Sequence, residues 1–206
     1  MKLFSYIIAR DYGFAPNPFN GLCTLATCKA DIRKSAHIGD WIVGTGPKSQ
    51  YNLAGHLIYA MKVDEILDYD TYWSDVRFQC KRPMLNGSLK QVYGDNIYHR
   101  DGRRWAQADS HHSRANGRRN LLNLKSDIRS NRVLLAQKFV YYGSEALLIP
   151  KSLREFKRTN EDICCPGRGY RVKTGALVKS FERWLEKSNK WGLCGLPIEF
   201  NGHARK

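Results

Sequence analysis

What most constrains the fold is a succession of β-prone segments with few helical stretches between them. "LFSYIIAR" (3–10) is dense in aromatic and β-branched residues and predicts a buried opening strand. "DWIVGTG" (40–46) predicts a second strand, interrupted by Gly44 and Gly46 at a bulge or a close backbone approach. "LAGHLIYAMKVDEIL" (53–67) predicts one long β run, and "RVLLAQKFVYYG" (132–143) returns to strand character. Strands that arrive without regular crossover helices count against a doubly wound parallel sheet. The clearest helix is "TGALVKSFERWLEKSNK", capped by Thr174, with Leu177, Val178, Phe181, Trp184 and Leu185 on one face. Shorter helices are predicted in "DYDTYWSDVRF", capped by Asp68 or Asp70, and in "SLREFKR", and "WGLCGLPIEF" closes as a strand. The expectation is an α+β fold, a compact β-rich core with flanking helices, forming one domain over 1–206.

Residues 80–131 break this pattern. They are polar, glycine-punctuated and basic: between Arg100 and Arg132, the cations Arg100, Arg103, Arg104, Arg114, Arg118, Arg119, Lys125, Arg129 and Arg132 face only Asp101, Asp109 and Asp127. A structureless loop of that length is unusual in a compact domain, so the segment is expected to be a functional insertion. The charge agrees. Thirty-four Lys and Arg against 19 Asp and Glu give +15, which favours a polyanionic partner through counterion release and long-range attraction.

Other classes are excluded by what the chain lacks. No apolar run approaches a membrane span, and no basic amphipathic helix suggests a membrane surface, so no membrane partner is expected. Six cysteines include no CxxC pair, so a structural zinc is not expected. His99, Asp109, His111 and His112 match no metal-ligand spacing, so no metal is assigned to them and whether that cluster holds one is left open. "MKLFSYIIARDYG" is too short in apolar residues for a signal peptide, and the expectation is a cytoplasmic protein with reduced thiols.

The stretch "YGDNIYHRDGRRWAQADSHHS" (93–113) gathers three of the six histidines among arginines, aspartates and aromatics. Asp109, His111 and His112 are candidate acid–base residues, since a carboxylate can fix the tautomer of an imidazole that moves protons near neutral pH. On a strand Asp109 and His111 share a face, which favours that pair, and His99 is a fourth candidate. Tyr93, Tyr98 and Trp105 can stack on a base, with Trp41 beside them, while Asn96 and Gln107 can address a base edge. "DYGFAPNPFNG" adds Asp11 and Tyr12 from a loop stiffened by two prolines. Arg100, Arg103, Arg104, Arg118 and Arg119 are candidate phosphate contacts, joined by Arg168 and Arg171 of "CCPGRGYR".

"HIGDWIVGTG…LAGHLIYAMKVDEI" resembles the central portion of PUA-like domains, the group that includes ASCH and EVE domains. The wider pattern, "SYIIARDYGFAPNPFNGLCTLATCK", "GDWIVGTG", "YGDNIYHRDGRRWAQADSHHS", "FVYYG" and "CCPGRGYR", is similar to the second of the nucleotide-modification-associated domain families, over residues 2–200. The first resemblance implies a PUA-like barrel. The second implies association with bacterial or phage systems that modify DNA bases or recognise modified ones. The expected partner is therefore nucleic acid, DNA ahead of RNA, or a nucleotide held in a base-sized pocket. Two alternatives stand beside this binder: an enzyme acting on a nucleobase or its glycosidic bond through a His/Asp pair, and a small interaction protein. Cofactor, reaction type and oligomeric state are left open by the residues.

Overall fold

The computed structural model describes residues 1–202. In chain order its strands are β1 Leu3–Ile7, β2 Cys23–Leu25, β3 Trp41–Thr45, β4 His56–Lys62, β5 Glu65–Leu67, β6 Tyr98–Asp101, β7 Arg104–Gln107, β8 Val133–Ala136, β9 Phe139–Tyr141, β10 Leu147–Leu148, β11 Arg171–Lys173 and β12 Gly192–Leu193. Its α-helices are α1 Ala30–Ser35, α2 Lys48–Tyr51, α3 Tyr69–Ser74, α4 Leu89–Val92, α5 Leu121–Asp127, α6 Lys151–Arg154 and α7 Gly175–Ser188. The fold is α+β, as expected, but its strands fall into two compact units. Unit 1 comprises Met1–Asp11, Ala36–Asp64 and Gln137–Lys206; unit 2 comprises Tyr12–Ser35 and Glu65–Ala136.

Unit 1 is built on a seven-stranded sheet ordered β11-β1-β3-β4-β9-β12, with β10 also paired to β4. β1 runs parallel to β3, and β3 antiparallel to β4. No barrel forms among the described residues. Closure needs the two edge strands to pair, and here the edges are a three-residue β11 and a two-residue β12 that do not pair with each other. The PUA-like barrel is thus replaced by an open sheet.

One face of that sheet takes α7, whose Leu177, Val178, Phe181 and Leu185 are buried against Trp41, Val43, Leu57, Ala60 and Val140. Each such apolar side chain contributes about 1.5–3 kcal/mol on burial. The register slips between Gly44 and Thr45, so the predicted bulge is present. Gly44 also admits a close neighbour: a Cβ there would collide with the Tyr59 ring.

Unit 2 holds a three-stranded antiparallel sheet, β2-β8-β5, and a separate hairpin of β6 and β7. Residues 80–131 form much of this unit. They lacked an apolar pattern because what they bury is hydrogen-bonded polar and aromatic groups. Lys81 Nζ donates to Asn17 Oδ1 at 2.7 Å and to the carbonyls of Asn17 and Leu22. Buried Asp95 accepts from Thr24 Oγ1 at 2.7 Å and from the Tyr72 hydroxyl at 2.8 Å. Burying charge is tolerable only with such partners.

Both long β runs also divide between the units. Residues 53–67 become β4 in unit 1 and β5 in unit 2, and residues 132–143 become β8 in unit 2 and β9 in unit 1.

Candidate functional site: a thiol, an imidazole and a carboxylate in unit 2

The site begins at a strained turn. After β2 the chain adopts positive φ at two consecutive non-glycine residues, Cys28 (56°) and Lys29 (42°), before α1 starts. L-residues occupy this region at a cost of about 1–2 kcal/mol each, so neighbours must hold the turn. The Cys28 amide donates to Asp127 Oδ1 at 2.7 Å, and the Cys28 carbonyl accepts from Arg33 Nε at 2.9 Å. Arg33 lies on α1 and is fully buried. Its guanidinium also donates to the carbonyls of Asp127 (2.6 Å), Ser130 (2.8 Å) and Arg132 (2.6 Å). A cation thus satisfies carbonyls at and just beyond the C-terminus of α5, where the helix leaves its own acceptors unpaired.

Helix α5 delivers the other two groups. Asn120 caps it by accepting from the amides of Leu122 and Asn123. Asn123 and Asp127 are four residues apart and share a face. Asn123 Nδ2 donates to the His112 carbonyl at 3.0 Å, and Asp127 Oδ2 meets His112 Nδ1 at 2.9 Å. The Tyr98 hydroxyl donates to the same carboxylate oxygen at 2.9 Å. On the far side of the imidazole, Nε2 lies 3.7 Å from Cys28 Sγ. One ring therefore bridges a thiol and a carboxylate.

The electrostatics follow from this arrangement. Burial alone would lower the His112 pKa, but its hydrogen bonds to Asp127 and Cys28 outweigh that and raise it to about 9. His111 moves the other way, lowered to about 4 by burial among its neighbours and by the adjacent His112. Burial, with the Asp127 charge, pushes the Tyr98 hydroxyl well up, so it remains a donor.

Other candidate residues lie around or apart from this cluster. Tyr12 stacks on Tyr93 (ring centroids 5.1 Å apart), and both contact the His111 ring at 4.7 and 5.1 Å. Asp109 makes no hydrogen bond or ion pair with His111 among the described residues; in this cluster a carboxylate does meet a histidine, but it is Asp127 and the histidine is His112. His99 stacks on Trp73 at 4.0 Å, with the Arg82 guanidinium also over Trp73. Asn96 is fully buried, its Nδ2 donating to the Tyr72 and Phe78 carbonyls, and Gln107 accepts the Asn120 amide, so both side chains brace the fold. Trp105 packs edge-on to Tyr69 beneath Arg100.

Two candidates belong to unit 1. Trp41 is fully buried in its core, where a base cannot reach it, and Asp11 is buried, accepting from the Tyr141 hydroxyl and the Ile198 amide. Arg168 and Arg171 are exposed there too, whereas Arg100, Arg103, Arg104, Arg118 and Arg119 are exposed on unit 2. A cavity of about 580 Å³ lined by Lys151, Ser152, Glu155, Phe156, Lys157 and Arg158 also lies in unit 1.

Cys28 and Asp127 were absent from the sequence-based candidates. The signal for them is weak: a cysteine needs its histidine and carboxylate in space, not in sequence. Among the described residues no three His, Cys, Asp or Glu side chains converge as a metal-ligand set. No helix of the described chain is long and apolar enough to cross a membrane.

Fold and site together define an α+β protein with a hydrogen-bonded thiol–imidazole–carboxylate cluster. The chain belongs to the nucleotide modification associated domain 2 family, whose model matches residues 1–204. No curated protein and no solved structure matches it. Membership associates the chain with nucleotide modification.

Proposed function

We propose that unit 2 is a cysteine-nucleophile enzyme acting on a nucleotide or on a base within nucleic acid. One observation carries this reading: a single imidazole lies 3.7 Å from the Cys28 thiol and 2.9 Å from the Asp127 carboxylate. That is the nucleophile, base and orienting group that covalent catalysis requires. Asp127 holds Nδ1–H, which leaves Nε2 to exchange a proton with Cys28 Sγ. The reactive state is a thiolate beside an imidazolium. The thiolate forms a bond to an electrophilic carbon of the substrate, the bond to the leaving group breaks, and His112 Nε2 hands that group a proton. Water then cleaves the carbon–sulfur bond, giving one proton back through His112 and restoring the thiol.

The substrate class is supported by family membership and by the charge of +15. Arg100, Arg103, Arg104, Arg118 and Arg119 are exposed on the same unit and would contact phosphates. DNA is the favoured polymer, since the family reading concerns base modification. His99 and Asp109 have no part in the proposed proton path.

The test is incubation of the protein with plain and modified-base deoxyoligonucleotides and nucleotides, followed by mass spectrometry of both components. A mass change in the substrate, or an adduct on the Cys28 peptide, that disappears in Cys28→Ser is the expected outcome. Salt-sensitive binding with no chemistry, unchanged by Cys28→Ser, would make the protein a reader of nucleic acid instead of an enzyme.

A further inference from the structure

We propose that His111 is a ligand-contacting residue of this site, presenting a hydrogen-bonding edge and a ring face to a nucleobase beside Cys28. The proposal rests on the cysteine-enzyme reading above and names the part of the substrate that the site recognises.

His111 sits next to the thiol cluster: its ring centroid is 6.0 Å from that of His112, at an interplanar angle of 30°. Three rings fix it. Tyr12 lies at 4.7 Å, Tyr93 at 5.1 Å and Phe14 at 5.3 Å, the last two edge-on. Phe14 also touches the His112 ring at 4.6 Å, so one aromatic side chain spans both histidines. The residue as a whole nevertheless remains open to solvent beside these rings, and neither imidazole nitrogen has a hydrogen-bond partner among the described residues.

If packing were its whole role, a phenyl ring would serve as well. What histidine adds is a donor and an acceptor, and the protein uses neither. The ring stays neutral at ordinary pH, its pKa being near 4. A neutral imidazole offers one N–H and one lone pair, and its tautomer adapts to either kind of atom on a base. Burial first, and repulsion from the His112 imidazolium second, keep it neutral, so the ring offers hydrogen bonds and no charge, which suits an uncharged heteroaromatic ring more than a phosphate. Planar bases are commonly held in this way, by aromatic contact together with a few edge hydrogen bonds.

The experiment follows the alkylation of Cys28 by iodoacetamide in the full chain, quantified by peptide mass spectrometry. The four deoxynucleoside 5′-monophosphates serve as protecting agents, with base-free deoxyribose 5-phosphate as the control. In the wild type at least one nucleotide should slow alkylation several-fold while the sugar phosphate does not. His111→Ala should raise the protecting concentration tenfold or more. His111→Phe should keep part of the protection but lose the preference among bases. Protection that survives His111→Ala undiminished overturns this inference alone. A wild-type thiol that no nucleotide protects overturns this inference as well, and where a plain or modified-base deoxyoligonucleotide also gives no protection the substrate class proposed above falls with it.

Discussion

Asp127 is the residue on which the most depends. It accepts from the Cys28 amide and the Tyr98 hydroxyl and pairs with His112, all while nearly fully buried. Asp127→Ala would strand a buried imidazolium and two donors, and removing one partner of a buried pair typically costs about 3–5 kcal/mol. Chemical denaturation should show that loss, and Asp127→Asn should recover part of it. Cys28 is strained, so Cys28→Gly should exceed Cys28→Ala in stability by about 1 kcal/mol, because glycine is at ease at φ 56°.

His112 sets the pH response. Its pKa rises from 6.5 to about 9 on folding, so its contribution to stability is fully present below about pH 6.5 and fades as pH climbs through about 9. The difference in melting temperature between wild type and His112→Gln should therefore be larger at pH 6 than at pH 10. Turnover should fall over the same alkaline range, because the imidazolium that protonates the leaving group is lost.

Among the elements, α1 and α5 matter more than their lengths suggest. Arg33 on α1 binds four carbonyls, at Cys28, Asp127, Ser130 and Arg132, and so ties the nucleophile turn to the end of the helix that carries the carboxylate. Arg33→Met should destabilise unit 2 by about 3–5 kcal/mol, since a buried acceptor without a donor costs about 1–3 kcal/mol. Hydrogen exchange should show the effect concentrated in Tyr12–Ser35 and Glu65–Ala136.

Some elements were legible in the sequence for physical reasons. Helix α7 announces itself because its buried residues repeat at helical spacing, and α3 because Asp68 caps it, accepting from the Thr71 amide. The pair of Cys28 and Asp127 could not be read in this way. Their contact spans 99 residues of chain, and neither residue stands in a local motif. Tyr98 and His112 were singled out for clustering with other polar groups, which is a local signal. Which carboxylate His112 would meet is a tertiary fact, decided by the packing of α5.

For the whole molecule, the interleaving of the two units has consequences. Each is assembled from separated segments, so residues 80–131 are not an appendage that can be removed or studied alone. A peptide of those residues lacks β2, α1 and the partners of Lys81 and Asp95, and circular dichroism should show it unfolded. The charge of +15 also belongs to this scale. If the exposed arginines of unit 2 track a phosphate backbone, the double variant Arg103→Gln, Arg104→Gln should reduce the slope of log affinity against log salt by about 0.9 per lost contact. An unchanged slope would place nucleic acid elsewhere.

The central claim is that His112 and Asp127 activate Cys28, and the most direct measurement is the site-resolved rate of iodoacetamide alkylation at pH 7. Cys80 and Cys194 are exposed, whereas Cys28 is only partly so. An activated thiol should react faster than both despite its lesser exposure, and His112→Ala should abolish the advantage. If Cys28 reacts no faster than Cys80 and Cys194, and its rate ignores His112→Ala, then the cluster is a structural clasp and the enzyme reading fails.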